Sequence, residues 1–272
     1  MASELDGRRN GLPICLRGGR ARRVSRLAAS TRTALQVAAA FPRGFELRVL
    51  PALVEQTADE LLDSLDEARR AGLIRAVPGR PGLFRFVHAL TRHAVYDELS
   101  ASRRARLHHQ IAETLERFST SNPEPHLSDL AYHYAEALPV GDAAKALGYA
   151  IQTGDRAARM LAYEEAARHY ERGLRILDLE VSRDESPSPE AELRRCDLLL
   201  ALGETLRRAG HGALARPSPA KQALLDAAEI ARRLRPQIGG HEAGVRLARA
   251  ALGYRGVLVD ASAVDAVRIA LL

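Results

Sequence analysis

The chain has no tryptophan, few aromatic residues, two lysines and two cysteines among its 272 residues. Aromatic side chains make up 4% and apolar residues 46%, so a core must be built mainly from Leu, Ala and Val, which suits closely packed helices. Cys15 and Cys196 lie far apart and follow no spacing pattern. A disulfide framework is therefore excluded, and a reducing, cytoplasmic compartment is expected.

Signatures of catalysis and of membrane insertion are also missing. No apolar run approaches the roughly 20 residues of a membrane span, and neither Lys145 nor Lys221 stands in a Gly-x-x-x-x-Gly-Lys-[Ser/Thr] phosphate-binding loop. Gly-x-Ser-x-Gly is absent, which removes the nucleophile elbow. No two histidines stand four apart with a nearby acid, as a helical zinc site requires. We expect no enzymatic activity, metal site, cofactor or membrane partner in this chain.

The net charge of +6 is unevenly distributed along the chain. Nine arginines against Glu4 and Asp6 give residues 1–45 a net charge of +7, so residues 46–272 sum to −1. The basic leader either binds nucleic acid or is a solvated tail. Because the remainder of the chain carries no basic excess, the sequence argues against nucleic-acid binding by this chain alone.

The first part of the chain combines helical patterns with one hairpin pattern. Residues 1–22 are predicted to form a disordered leader, and short helices are predicted within 24–41 and 45–53. Thr57 and Glu60 form a capping box that begins a helix, and Gly72 ends it. The apolar face of this helix is predicted to comprise Leu61, Leu62, Leu65 and Ala68.

Alternating strand patterns at 73–77 and 83–87 flank a turn at 78–82 and predict a β-hairpin. Three helices followed by a hairpin are the outline of a winged helix, which we assign to 23–100. The remaining pattern predicts helices at 89–99, 102–118, 126–138, 141–153, 155–161, 163–179, 190–209, 219–235, 241–254 and 261–272.

The fold class is therefore mainly α, with a small winged-helix-like module and its β-hairpin followed by an α-solenoid of tetratricopeptide-like helical hairpins. Residues 101–180 are assigned to a helical linker and first repeat, 181–189 to a flexible loop, and 190–272 to further repeats that stop in mid-repeat. Such a truncated end suggests a piece of a split or decaying gene.

The repeat signal rests on small and aromatic residues at the spacings of a 34-residue tetratricopeptide repeat. In the first repeat these positions are Gly154, Tyr163, Ala166, Tyr170 and Gly173. A second, partial match comprises Leu202, Gly203, Leu206 and Gly210, before Pro217 and Pro219 interrupt it. The alternative is an ordinary irregular helical bundle.

One longer stretch resembles a known family. Residues 84–99, Phe-Arg-Phe-Val-His-Ala-Leu-Thr-Arg-His-Ala-Val-Tyr-Asp-Glu-Leu, continue at 105–108 and 111–113 as the segment after the ATPase core does in bacterial STAND-type regulators. These include large LuxR-type transcriptional regulators and cyclase-linked ATPases of actinobacteria. Shorter similarities lie at 59–62, 71–74, 162–167 and 171–172.

The resemblance implies the order of that family, in which an AAA-like nucleotide-binding domain precedes a winged helix and tetratricopeptide-like repeats. It implies a non-catalytic regulatory and protein-interaction fragment of a signal-transduction ATPase involved in transcriptional regulation. The ATPase core is not in this chain, so ATP or ADP is expected only in a parent ATPase. A protein or peptide partner at the repeats and a separate ATPase core are the implied partners.

The resemblance also implies a role for His88. In Val87-His88-Ala89 this residue stands where the family carries a Met-His-Asp-like motif, whose histidine contacts the β-phosphate of ADP in an intact parent. The alternative is a buried or half-buried histidine bonded to the backbone.

Four tyrosines are candidates for a partner surface or, alternatively, for the core: Tyr132, Tyr134, Tyr163 and Tyr170.

The alternative function is a DNA-binding winged-helix transcription regulator that acts on its own. Its support is the basic leader and three arginines of the hairpin, Arg75, Arg80 and Arg85. It predicts duplex binding that weakens steeply with salt, since phosphate contacts release counterions.

Overall fold

A computed structural model describes residue 24 and residues 26–120, 124–138, 140–181, 187–210 and 218–255. The chain divides into two compact units, Met1–Phe118 and Ser119–Leu272. The described residues are mainly helical, with ten α-helices and one small antiparallel sheet of three strands. The predicted leader (1–22), positions 182–186 of the predicted loop and the predicted helix 261–272 lie outside the described residues.

The first unit alternates helices with short strands. Its order is α1 (Ala29–Ala39), β1 (Phe45–Glu46), a 3-10 turn (Leu50–Ala52), α2 (Ala58–Arg70), β2 (Ile74–Ala76), β3 (Leu83–Phe86), α3 (Ala89–Asp97) and α4 (Ala101–Phe118). β3 lies between β1 and β2 and is antiparallel to both. Helix α4, which the sequence assigned to the region after the winged helix, belongs to this unit.

Helix α2 begins with the predicted capping box. The Thr57 amide donates to Glu60 Oε2 at 2.8 Å, and the Glu60 amide donates to Thr57 Oγ1 at 3.3 Å. These bonds satisfy two amides that the helix leaves without partners. Gly72, at φ 69°, follows the helix as predicted. The predicted apolar face is wrong at Leu62, which is exposed, while Leu61, Leu65 and Ala68 are buried.

The predicted hairpin is confirmed as β2 and β3, but the predicted helix at 45–53 is wrong. Phe45 pairs with Phe84 instead, and their rings stack with centroids 5.9 Å apart. Gly44 allows this pairing, because its φ is +125° and an added Cβ would lie 2.7 Å from the Phe84 carbonyl oxygen. Burial of Phe45 against the sheet therefore outweighs the local helical pattern.

The second unit consists of helices joined in chain order. They are α5 (Leu127–Glu136), α6 (Ala143–Arg159), α7 (Tyr163–Val181), α8 (Pro189–Arg208), α9 (Pro219–Ile238) and α10 (Gly240–Arg255). Each helix packs against the next one along the chain. Asp142, Ser188 and Ser218 cap α6, α8 and α9 by accepting a backbone N–H three residues on.

Helix α6 is continuous, so the sequence prediction of two helices at 141–153 and 155–161 is wrong. Gly154, where the prediction placed the break, lies inside α6 and faces the ring of Tyr170 on α7. The glycine therefore marks a close approach of two helices and not the end of one.

Small side chains and leucines form the core between α8, α9 and α10. It includes Cys196, Leu200, Leu224, Ala227, Ala228, Ala231, Leu234, Ala250 and Ala251. An ion pair fixes α10 on α8, since Arg246 binds Asp197 through Nε at 2.9 Å and Nη2 at 3.0 Å. A bidentate geometry of this kind is the most directional form of an arginine–carboxylate pair.

Candidate interaction surface

The first close helix crossing of the second unit joins α6 and α7. A Cβ on Gly154 would lie 2.6 Å from Tyr170 Cε1, well inside carbon–carbon contact distance. Tyr170 is buried, and its hydroxyl donates to Asp155 Oδ1 at 2.8 Å. Burial, together with this bond to Asp155, raises the pKa of Tyr170 well above its usual range. The Tyr170 ring is thus held by its contact with Gly154 and by the hydrogen bond of its hydroxyl to Asp155.

A second crossing of the same kind joins α8 and α9. A Cβ on Gly203 would lie 2.6 Å from Leu224 Cγ. The residues around each large side chain correspond: Ala166, Tyr170 and Gly173 on α7 have the spacing of Ala220, Leu224 and Ala227 on α9. All six are buried. The sequence reading missed the set on α9, because Leu224 follows Gly203 by 21 residues, five more than the 16 that separate Tyr170 from Gly154, and Leu stands in place of the aromatic.

Two of the four candidate tyrosines belong to the core. Tyr170 packs on Gly154, and Tyr134 is completely buried with its ring stacked on Tyr149 at 5.3 Å. Lys145 Nζ lies 3.4 Å from the Tyr134 hydroxyl. Neither Tyr134 nor Tyr170 is accessible to a partner in this structure, so the packing alternative describes both.

Tyr132 is half-buried on α5, beside a half-buried arginine of α7. Burial lowers the pKa of Arg172, while the charge of Glu136 on α5 acts in the opposite direction, and Arg175 and Tyr132 also influence it. Arg172 therefore lies within electrostatic range of Glu136 and Tyr132. We call these three residues the Tyr132 patch.

Tyr163 is half-buried at the start of α7, next to the end of α8. Arg208 lies over its ring, with Cζ 5.8 Å from the ring centroid. Glu204 Oε1 accepts from Arg207 Nη2 and Arg208 Nε, each at 2.8 Å. Burial acts to raise the pKa of Glu204, but the two arginines outweigh it and hold that pKa below its usual value. Tyr163, Glu204 and Arg208 form the Tyr163 patch.

His88 lies in the first unit and is exposed at the position before α3. Its side chain makes no capping hydrogen bond, so the alternative of a buried or half-buried histidine does not describe it. The buried histidine of the resembling segment is His108 on α4, to which the sequence analysis gave no role. Its Nε2 lies 2.8 Å from the Tyr96 hydroxyl, and burial lowers its pKa to about 4.

The described residues contain no group of three or more His, Cys, Asp or Glu side chains placed to hold a metal ion. One open cleft of about 240 Å³ lies in the first unit between 52–55 and α4, with Glu55, Glu113 and Arg117 in its lining. Ligand pockets usually span about 300–1,000 Å³ and are mostly apolar, so this cleft is small and polar for such a role. Among the described helices, none has the length and apolarity to cross a membrane.

No protein-family model, curated protein or solved structure matches this chain significantly.

Proposed function

We propose that this chain is a non-catalytic regulatory and protein-interaction module of a STAND-type signal-transduction ATPase, acting in transcriptional regulation in the cytoplasm. The observation that carries the proposal is the pair of equivalent crossings, Gly154 on Tyr170 and Gly203 on Leu224. In tetratricopeptide repeats, small residues lie where the two helices of a repeat cross and a large side chain fills the gap. We therefore interpret α6–α7 and α8–α9 as two such repeats.

The first unit supports the other half of the proposal. Its order of helix, strand, short helical turn, helix and hairpin, with β3 between β1 and β2, is similar to that of a winged helix and supports this assignment. In a parent protein this module would restrain an ATPase core, and exposed His88 would contact the phosphate of bound ADP.

The repeats would bind a protein or peptide through the Tyr132 and Tyr163 patches. Tyrosine and arginine are enriched among the residues that dominate binding energy at protein interfaces. Both patches combine them, as Tyr132 with Arg172 and Tyr163 with Arg208. Both tyrosines are half-buried, so packing within the second unit holds each ring and leaves part of it accessible.

Site-specific photo-crosslinking in the source cells tests this function. A benzophenone amino acid replaces Tyr132 or, separately, Tyr163, and Glu229 on α9, away from both patches in the chain, is the exposed control position. We expect discrete adducts from a tyrosine position, with a P-loop ATPase or another regulatory protein identified by mass spectrometry. If neither tyrosine position yields an adduct, or if Glu229 yields the same adducts, the two tyrosine patches are not the binding site. ATP hydrolysis that a substitution in this chain abolishes would contradict the non-catalytic assignment.

The alternative of a DNA-binding winged helix acting on its own loses support at α2. In a winged helix, the helix before the hairpin is the one that enters the major groove. Here that helix is acidic, because Asp59, Asp63 and Asp66 are exposed on it along with Glu60. Such a surface repels phosphates, so base readout by α2 is disfavoured.

A further inference from the structure

The β2–β3 hairpin carries an arrangement of charge that the fold itself does not explain. Its register places Arg75 directly opposite Arg85, and both side chains are exposed. Like charges directly opposite one another on an antiparallel pair are destabilising. The turn adds a third exposed arginine, Arg80. We call Arg75, Arg80 and Arg85 together the arginine face.

The opposite face of the hairpin fixes this register. Ile74 is buried and pairs with Phe86, while Ala76 pairs with Phe84, whose ring stacks on Phe45. A slip of one residue would move every side chain to the other face and expose buried Ile74 and the half-buried rings of Phe84 and Phe86. The two arginines are therefore held together by the packing of their neighbours.

Carboxylates do not neutralise this arginine face. The chain has no Asp or Glu from residue 68 to residue 96. Among the described residues, Arg75, Arg80 and Arg85 form no ion pair. The register places Glu46 of β1 opposite Leu83, on the side of the sheet that carries Arg85, but Glu46 pairs with Arg48 at 2.5 Å. The arginine face therefore offers three uncompensated guanidinium groups to an anion.

We propose that this arginine face binds the phosphate backbone of duplex nucleic acid, independently of the repeat surface. A two-stranded ribbon is narrow enough to enter the major groove, about 12 Å wide. Phosphate contacts need guanidinium groups and no apolar centre, whereas the centre of a protein–protein interface is depleted of charged residues and rich in aromatics. The arginine face carries no aromatic side chain, since Phe84 and Phe86 lie on the other face. Base readout would require α2 to enter the groove, which its acidic surface disfavours, so the proposed contact is made by the hairpin to phosphates and not to base edges.

Fluorescence anisotropy of a labelled duplex of about two helical turns, titrated with the full chain from 50 to 200 mM salt, tests this inference. The variant combines Arg75→Gln, Arg80→Gln and Arg85→Gln. A control with the same loss of charge combines Arg103→Gln, Arg106→Gln and Arg168→Gln, which are exposed on α4 and α7. The basic leader remains in every protein, so its contribution cancels.

Three phosphate contacts contribute about −2.7 to the slope of log affinity against log salt concentration. This slope corresponds to a duplex affinity that falls roughly 40-fold between 50 and 200 mM salt. We expect the hairpin variant to lose that part of the slope and the control to keep it. The variant should unfold at the same or a higher temperature, because one like-charge pair is removed. An unchanged slope, or equal losses in variant and control, would overturn the proposal. Displacement of the duplex by poly-glutamate at equal charge concentration would also overturn it and assign the face to an acidic protein.

Discussion

Replacing Gly154 with alanine tests whether the α6–α7 crossing is set by the contact between this glycine and Tyr170. The new Cβ would lie 2.6, 2.9 and 3.1 Å from three atoms of the Tyr170 ring. Carbon atoms in contact prefer about 3.5–4.0 Å, so the ring or the helix must move. Movement of the ring breaks its 2.8 Å hydrogen bond to Asp155.

The expected change in the free energy of unfolding follows from two destabilising effects and one stabilising effect. Overpacking a closely packed core costs about 1–3 kcal/mol, and the lost hydrogen bond adds about 0.5–1.5 kcal/mol. Alanine is favoured over glycine inside a helix by about 0.8–1.0 kcal/mol. We therefore expect Gly154→Ala to reduce the free energy of unfolding of the second unit by about 2 kcal/mol.

Gly148→Ala is the matched control, since it lies on the same helix and an added Cβ meets nothing within 4 Å. It should stabilise the unit by up to about 1 kcal/mol, because only the helix-propensity effect remains. Native-state hydrogen exchange of the α6 and α7 amides is the measurement, because it reports the opening of this unit separately from the first. The reasoning is refuted if the two alanine variants are equally stable.

A double-mutant cycle identifies the partner of the clash. Combining Gly154→Ala with Tyr170→Leu should cost less than the sum of the two single changes, by at least about 0.5 kcal/mol. Strict additivity would show that the strain is absorbed elsewhere.

Burial lowers the pKa of His108 to about 4 from 6.5. Folding therefore gains about 3 kcal/mol from the neutral ring relative to the protonated one. This stabilisation is fully present above pH 6.5 and is lost as the pH falls toward 4. Urea unfolding of the first unit at pH 7.5 and 4.5 should show this dependence, and His108→Gln should lack it. Burial raises the pKa of Cys196 to about 11, so iodoacetamide should modify it only when the second unit opens; rapid labelling of the native chain would contradict this. Arg246→Gln and Asp197→Asn should be non-additive by about 1 kcal/mol in a cycle measured by urea unfolding, and full additivity would show that the pair contributes nothing.

Features set by nearest neighbours in the chain could be predicted from the sequence. The capping box at Thr57 and the end of α2 at Gly72 each depend on the chemistry of a few adjacent residues. The β2–β3 hairpin likewise combines an alternating pattern with a turn rich in Gly and Pro. Such signals act before any tertiary contact forms, which explains their reliability.

Features set by distant contacts could not be predicted. Phe45 forms a strand only because β3, almost forty residues later, supplies the ring of Phe84. The repeat spacing singled out Gly154 and Tyr170, but the helical pattern still ended a helix at Gly154, because nearby residues do not reveal its contact with Tyr170 on another helix. For the candidate site, helical periodicity places Tyr132 and Tyr134 on different faces, but it does not say which face meets α6. Only the packing of α5 shows that Tyr134 is the buried one.

The abundance of arginine in this chain says little about its partners until the pairing of each arginine is known. On the second unit, Arg195, Arg233 and Arg246 each reach a carboxylate on a neighbouring helix, namely Asp178, Glu192 and Asp197. Those charges are used within the fold, where they fix one helix on the next. The three arginines of the β2–β3 hairpin differ because the sheet register brings two of them together, while Glu46, the carboxylate on that side of the sheet, pairs with Arg48. An anionic partner would therefore meet two adjacent guanidinium groups at the hairpin, an arrangement that the paired arginines of the second unit do not offer.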